Sequence, residues 1–537
     1  MNQLYTELLP DDPTWDETYP RPQMVRDNWQ SLNGTWEFEN GATFTVPFCN
    51  ESILSDSLFK PFAGYTVMKK FYLQDNLKDD VILFHFDAID EFAEVIINGK
   101  YLGYHDNGYL PFTYAIPREE LAGKEIELRL NTADMTDLKF PYGKQRKNRG
   151  GMWYTAISGI WQSIWLESVP KDYIVKVRTK TENDQVQIHK YLSDGTVEVE
   201  EKQIKDPHLW TMDDPYLYYD TVTYKEDKVK IYYAFRKVEM RDKKVFLNDS
   251  PVFLNGVLDQ GYFPDGIFTP ATPKEYERDI LRIKDLGFNM LRKHLKLEPD
   301  VFYYYCDLHG MLVMQDMINN GTYSFLWDSV IPAVFPNIPH DDSNQHTDPE
   351  TRENYIESMK AILDLLSNHP SVIGYTLFNE GWGQFTSDRI YEMAKEIDPT
   401  RLIDSTSGWY AGKKSDFNSQ HLYYPFQKKR MPKIMSNSSL PVLLSEFGGI
   451  SRKVEGHTYG DKEYGYSKAA DEKELTDKII QEYSEMVLPY LDKGLCGCVY
   501  TQLYDIEDEI NGLFTYDRII CKVDADRIRE MNQKVRY

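Results

Sequence analysis

Ser371-Val-Ile-Gly-Tyr-Thr-Leu-Phe-Asn-Glu380 decides how the C-terminal half of this chain is read. An unbroken run of apolar and small residues is a strand covered on both faces, and Asn379-Glu380 puts polar groups where the strand runs out. A second run of this kind, Leu440–Ser445, leads into Glu446-Phe-Gly-Gly449. Outward from these two, further runs fall at Pro251–Val257, Phe288–His294, Met311–Gln315, Arg401–Ser405, Asn418–Tyr423 and Gly494–Thr501. Helical stretches such as Pro273–Leu286 and Thr351–Asn368 lie between them. Eight strands alternating with helices over about 290 residues predict a (β/α)8 TIM barrel spanning 247–537.

The first 170 residues have a different texture. Short alternating runs (Thr43–Val46, Val81–Phe86, Ala93–Ile97, Ile126–Leu130) are broken by Gly-rich turns, and Asn98-Gly99 is a two-residue hairpin signal. This segment reads as all β. From 171 to 246 a smaller β-rich stretch follows, with strands expected at Ile174–Val177, Tyr216–Tyr219 and Val229–Tyr233. It suits a sandwich but is short for a complete immunoglobulin-like module.

With 537 residues the chain is too long for one core. Its 85 Asp and Glu against 61 Lys and Arg give a net charge of −24, which disfavours nucleic acid and anionic membrane as partners. No basic, apolar leader opens the sequence and no run is long enough to span a bilayer, so a cytoplasmic location is expected. Five cysteines (Cys49, Cys306, Cys496, Cys498, Cys521) lack the spacing of a disulfide or zinc framework, and Cys496-Gly-Cys498 lies in an apolar strand as small core residues. Aromatic residues make up 14%, with 39 Tyr and 10 Trp, and their faces can receive the CH faces of sugars.

Two glutamates at the C-terminal ends of strands in one parallel barrel can face each other at roughly 5 Å. That separation suits a pair in which one carboxyl donates a proton to a leaving oxygen while the other, ionised, attacks an anomeric carbon. The long segment between Asp316 and Glu350, carrying Phe325, Leu326, Trp327 and Ile331, is expected to wall such a site.

The chain resembles glycoside hydrolase family 2 over nearly its whole length. Leu32-Asn-Gly-Thr-Trp36, Phe86-Asp-Ala-Ile-Asp90, Val95-Ile-Ile-Asn-Gly-Lys100, His105-Asp-Asn-Gly-Tyr-Leu-Pro-Phe112 and Ser158-Gly-Ile-Trp-Gln162 look like that family's jelly-roll domain. Trp210 and Asp214-Pro-Tyr-Leu-Tyr218 look like the end of its immunoglobulin-like sandwich. Phe378-Asn-Glu380 resembles the acid/base element and Ser445-Glu-Phe-Gly448 the nucleophile element. The resemblance implies Glu380 as acid then base, Glu446 as nucleophile, and Asn379 on the sugar hydroxyl beside the anomeric carbon. It further implies Arg292 as the charge that keeps the nucleophile ionised, and Tyr423, in His421-Leu-Tyr-Tyr-Pro425, as a donor to it.

Three departures bear on the sugar. After the first strand the chain reads Gly256-Val-Leu-Asp-Gln-Gly-Tyr262 where an Asn-Arg-His-like element is usual, and His294 comes one place early after Arg292. The Asn-x-Lys element by which glucuronidases hold a carboxylate is replaced by Glu509-Ile-Asn511, and an acid there repels an acidic sugar unless another cation compensates. Positions at or just past strand ends make Asp259, Gln260, His294, Lys296, Trp409, His421, Tyr500, Gln502 and Asp505 candidates for contact with substrate. The expectation is a retaining exo-glycosidase of β-galactosidase type, without cofactor or obligatory metal, with a carbohydrate as its partner and a homo-oligomer possible. The alternatives are a β-glucuronidase, galactofuranosidase or arabinosidase of the same family, and a carbohydrate-binding protein without activity.

Overall fold

The structure is a computed structural model that describes residues 3–57, 64–134, 137–331, 342–423 and 427–537. The stretch 332–341 of the long loop, and Tyr424-Pro425 of the strand-six motif, lie outside the described residues.

Two antiparallel sheets form the N-terminal part. One runs in the order Trp29–Ser31, Ile164–Val169, Val81–Phe86, Phe112–Pro117. The other runs Thr43–Val46, Gly34–Phe38, Gly64–Phe71, Ile126–Ala133, Phe92–Ile97, Lys100–His105. Alternating inward residues of both sheets, among them Trp36, Phe44, Val67, Phe84, Phe86, Leu128 and Leu166, make one shared core. The Asn98-Gly99 turn has φ of +49° and +78°, the left-handed pair that a two-residue hairpin twisted with its strands requires.

The second β segment contains a three-stranded sheet (Ile174–Glu182, Gln185–Leu192, Val197–Gln203) and a hairpin (Tyr218–Tyr224, Asp227–Tyr233) around Ile174, Val186, Ile188, Val229 and Ile231. The N-terminal segment completes it. Val25 and Lys230 exchange backbone hydrogen bonds of 2.8 and 2.9 Å, and Met24 enters the core. Arg26 ties Asp227 to Glu167 at 2.8 and 3.1 Å, so both β segments share one buried guanidinium.

A three-stranded meander, Val238–Arg241, Lys244–Leu247 and Ser250–Val252, then floors the barrel: Trp210, Val245, Leu247 and Val252 pack against Leu254, Met290, Leu312, Leu402 and Cys496. The barrel strands are Leu254–Asp259, Met290–Lys293, Leu312–Asp316, Val372–Asn379, Leu402–Ser407, Asn418–Leu422, Val442–Gly448 and Leu495–Thr501. They form one parallel eight-stranded sheet in the order five, four, three, two, one, eight, seven, six. Strands five and six, the ends of that order, are joined by side chains: Ser419 Oγ donates to Asp404 Oδ2 at 2.7 Å, and Ser407 Oγ meets His421 Nε2 at 2.9 Å. Each expected strand is present, with ends shifted by a few residues. Among the helices between strands, Pro349–Leu366 starts where Asp348 accepts the Thr351 N–H at 2.9 Å with proline at the first helical position. Among the described residues no helix is long and apolar enough to cross a membrane.

Candidate active site

Strand seven carries Glu446 into the barrel mouth, buried to 4% exposure. Both of its oxygens are engaged. Oε1 accepts from Arg292 Nη1 at 2.9 Å, and Oε2 accepts from the Tyr423 hydroxyl. Arg292, at the end of strand two, is itself pinned: Nε donates to Asp316 Oδ1 at 3.0 Å, Nη2 to Asn379 Oδ1 at 2.8 Å, and Nη1 to the Ser445 carbonyl at 3.1 Å. Burial by itself would raise the Glu446 carboxyl. His421, Arg292 and His294 together with the Tyr423 hydroxyl outweigh it and hold Glu446 below the usual carboxylate range. Tyr423 is pushed the other way, by burial and by the charges of Glu446 and Glu380, so its hydroxyl stays a donor.

Glu380 is held differently. The chain leaves strand four through Glu380 at φ +54°, with its N–H on the Ser407 carbonyl at 2.9 Å. Gly381 follows at φ +76°, and a Cβ there would come within 2.4 Å of the Tyr410 ring. Among the described residues the Glu380 carboxylate has one partner at 2.8 Å, His421 Nδ1, whose other ring nitrogen is fixed by Ser407. Trp409 Nε1 donates to the carbonyls of Asp328 and Glu380 at 3.0 and 3.2 Å, fastening the loop that begins at Ser324 over the acid. Burial, aided by the Glu380 charge, pushes the Asp328 carboxyl up to about 6. One ligand atom each of Glu380, His421 and Glu446 lie within 4.8 Å of one another. That spacing could admit a cation, but it is also the approach of two carboxylates acting on one bond.

Around this pair, His294 Nδ1 meets Asp316 Oδ2 at 2.6 Å. A ring of hydrogen bonds ties strand ends one and eight to the N-terminal sandwich. Gln260 Nε2 reaches the Tyr154 hydroxyl and Gln502 Oε1, both at 2.6 Å; Gln502 Nε2 donates to Asn511 at 2.8 Å; Asn511 and Tyr154 donate to the two Glu509 oxygens at 2.9 and 2.5 Å. Asp259 is bound to Lys293 Nζ at 2.8 Å, and burial is outweighed by that ammonium in setting its carboxyl low.

Three candidates turn inward to the scaffold. Tyr500 is 1% exposed and packs edge-on against Phe447 beneath Gly448, because period-two alternation sends it outward from the lumen while its neighbour Thr501 meets Tyr423 at 3.1 Å. Lys296 donates to the carbonyls of Gly261 and Phe268 and to Glu298, and Asp505 is paired with Lys522 at 2.6 Å. The residues not singled out in the sequence are Asp316, Ser407 and Thr501, all at strand ends where the same position rule would have found them. Trp153 and Tyr154 come from the sandwich, where no barrel periodicity points to them.

The family model for glycosyl hydrolases family 2, TIM barrel domain, matches residues 238–516, the span that carries both glutamates and their partners. The chain belongs to glycosyl hydrolase family 2. It is 21% identical over 81% of its length to a β-galactosidase of Priestia megaterium, covering 45% of that protein. It is 23% identical over 80% of its length to a putative β-glucuronidase of Formosa agariphila, covering 54% of it. The chain thus spans between about a third and about half of the first curated relatives it matches. Solved structures of similar size share the fold. A β-glucuronidase of an uncultured Clostridium superposes with TM-score 0.74 at 18% identity, over 97% of this chain and 100% of that one. A β-galacturonidase of Eisenbergiella tayi superposes with TM-score 0.71 at 16% identity, over 96% and 99%.

Proposed function

We propose that this family member is a retaining exo-glycosidase that removes one terminal sugar from the non-reducing end of a glycoside. The observation that carries the reading is the approach of Glu380 and Glu446 to within 4.8 Å, with one carboxylate doubly bound by Arg292 and Tyr423 and the other left, among the described residues, with a single histidine partner. Such asymmetry gives one residue type two roles. An ionised Glu446 oxygen attacks the anomeric carbon while Glu380 gives its proton to the glycosidic oxygen, and the leaving group departs. Glu380, now a carboxylate, takes a proton from water, whose oxygen displaces Glu446 and frees the sugar with its configuration retained. Asn379, oriented by Arg292, is placed to hold the neighbouring hydroxyl. His421, shared between the two carboxylates at 2.8 and 3.5 Å, joins the machinery as the group that orients Glu380.

In this reading residues 1–170 form a jelly-roll domain, 171–246 a shortened immunoglobulin-like sandwich and 247–537 the catalytic barrel. Kinship with named β-galactosidases supports a β-galactoside as substrate. An acidic sugar is the second reading, supported by cations described below and by the glucuronidase and galacturonidase names among the fold neighbours. The test is hydrolysis of nitrophenyl β-galactopyranoside, β-glucuronide, β-galacturonide, β-galactofuranoside and α-arabinofuranoside, with Glu446→Gln beside the native protein. Turnover of one glycoside, lost in the variant, sustains the reading; an inert native protein across the panel favours a carbohydrate-binding role instead.

A further inference from the structure

Residues 139–149, Lys-Phe-Pro-Tyr-Gly-Lys-Gln-Arg-Lys-Asn-Arg, hold five cations and no acid in a chain whose net charge is −24. The outer two are neutralised: Lys139 pairs with Glu350, and Arg149 with Glu507 and Asp508 at 3.2 and 3.4 Å. Lys144 and Arg146 form no ion pair with any carboxylate among the described residues. Arg146 is half-buried, its guanidinium 3.5 Å from the centre of the Trp153 ring and 5.2 Å from that of Tyr323. Lys144 Nζ lies 5.6 Å from the same Trp153 ring.

This segment crosses the barrel mouth. Gln145–Arg146 pairs with Tyr154–Thr155, whose Tyr154 hydroxyl reaches Glu509 beyond strand eight. On the other side Trp153 stands edge-on to Trp382, at 4.7 Å between ring centres, and the Trp382 backbone N–H donates to the Asn379 carbonyl at 3.0 Å. Between the segment and Thr322-Tyr323 opens a cleft of about 480 Å³, lined by Tyr142, Gln145, Arg146, Lys147 and Tyr323. That size suits a saccharide unit.

We propose that Lys144 and Arg146 form an anion-recognition subsite beside the two glutamates, selecting a saccharide that bears a carboxylate or sulfate. The proposal rests on the glycosidase reading above. A half-desolvated guanidinium with no counter-charge among the described residues gains most from an anion that enters with the substrate, and its planar donors suit a carboxylate or sulfate face. Burial draws the Arg146 cation toward its neutral form, which is the cost such an anion offsets. The same cations answer the problem posed by Glu509. Its two oxygens are spent on Tyr154 and Asn511, and Lys144 acts on it and on His294 from above, so the acid in the Asn-x-Lys position need not repel an acidic substrate.

The test is calorimetric binding to the full chain carrying Glu446→Gln, so that affinity is read without turnover. Three probes are compared: a disaccharide with terminal galacturonate, the same disaccharide with terminal galactose, and a galactose-terminated disaccharide sulfated on its second unit. At least one acidic probe should bind about tenfold or more tightly than the neutral one, with the preference falling as salt is added. Lys144→Ala with Arg146→Ala should abolish that preference and leave neutral binding in place, and Arg146→Lys should retain part of it; thermal unfolding of each variant checks the fold. Which acidic probe gains tells whether the charge is read on the departing sugar or beyond the cleaved bond. Equal binding of acidic and neutral probes, no measurable binding of either acidic probe, or a preference that survives the double substitution would overturn the proposal. Hydrolysis by the native chain is scored separately, so an inactive protein that still prefers acidic sugars would sink the glycosidase reading and not this one.

Discussion

The ends of strands four and seven present the same side chain in opposite settings. Glu446 is almost fully buried, with both oxygens taken by a pinned arginine and a tyrosine hydroxyl, whereas the less buried Glu380 has, among the described residues, one histidine partner and a wall of loop residues. The wall is solvent-facing: Phe325 and Trp327 are 65% and 62% exposed. A nucleophile gains from rigidity and constant charge, and a proton carrier gains from access to water and leaving group. Under the proposed function the difference in setting is a difference in job, and it can be broken one group at a time.

Removing Glu446 should have the largest effect. Glu446→Ala is expected to lower kcat by about 10⁴-fold or more on every glycoside, since it removes the group proposed to form the covalent intermediate. Glu380→Ala should depend on the leaving group: about 10³-fold or more lost on an alkyl glycoside, and far less in the first step on a dinitrophenyl glycoside, whose phenolate departs without a proton. Equal losses on both substrates would mean that Glu380 is not the acid.

Arg292→Gln tests the electrostatic half of the comparison. Glu446 must be ionised to attack, so kcat/KM falls as pH drops through its pKa. With that pKa depressed in the native protein, the acid limb of the native profile is expected below the roughly 4.3 of an ordinary glutamate. Loss of the arginine charge raises the pKa, and the acid limb should move to higher pH by about one unit, with kcat/KM down about 100-fold at the optimum. An unmoved acid limb would show that Arg292 only positions its neighbours. Tyr423→Phe removes one donor and no charge, and about 10- to 100-fold is expected, with a smaller upward move of the same limb.

How legible these proposed roles were follows from the geometry of a parallel barrel. Strands covered on both faces are continuous apolar runs, so all eight could be found, and with them the positions of Glu380, Glu446, Arg292 and Tyr423. Such a run conceals which alternate residue faces the lumen. Tyr500 and Thr501 are adjacent and both buried, and only the register shows that the threonine meets Tyr423 while the tyrosine packs outward. What the sandwich contributes was not legible at all. Trp153 lies 229 positions before Trp382, and no local pattern brings two such residues together; their contact follows from how the β domain docks. Even the shortness of the second β segment was misleading by itself, since Met24 and Val25 complete it from the far end of the chain.

Trp327 gives the smallest and most discriminating effect. Its backbone carbonyl accepts from the Tyr410 hydroxyl, and Tyr410 packs over Gly381 next to the acid, yet its own ring is 62% exposed. Backbone and side chain therefore separate: the backbone anchors the loop beside Glu380, and under the proposed function the exposed ring is free to offer an aromatic face beyond the cleaved bond. Trp327→Ala leaves the anchor in place. With a nitrophenyl glycoside kcat and KM should stay within about twofold of native, whereas with an oligosaccharide KM should rise about three- to tenfold at unchanged kcat, the loss of one stacking face. A fall in kcat on both substrates would instead place the Trp327 ring among the groups that hold Glu380, and the acid would then be no more loosely held than the nucleophile.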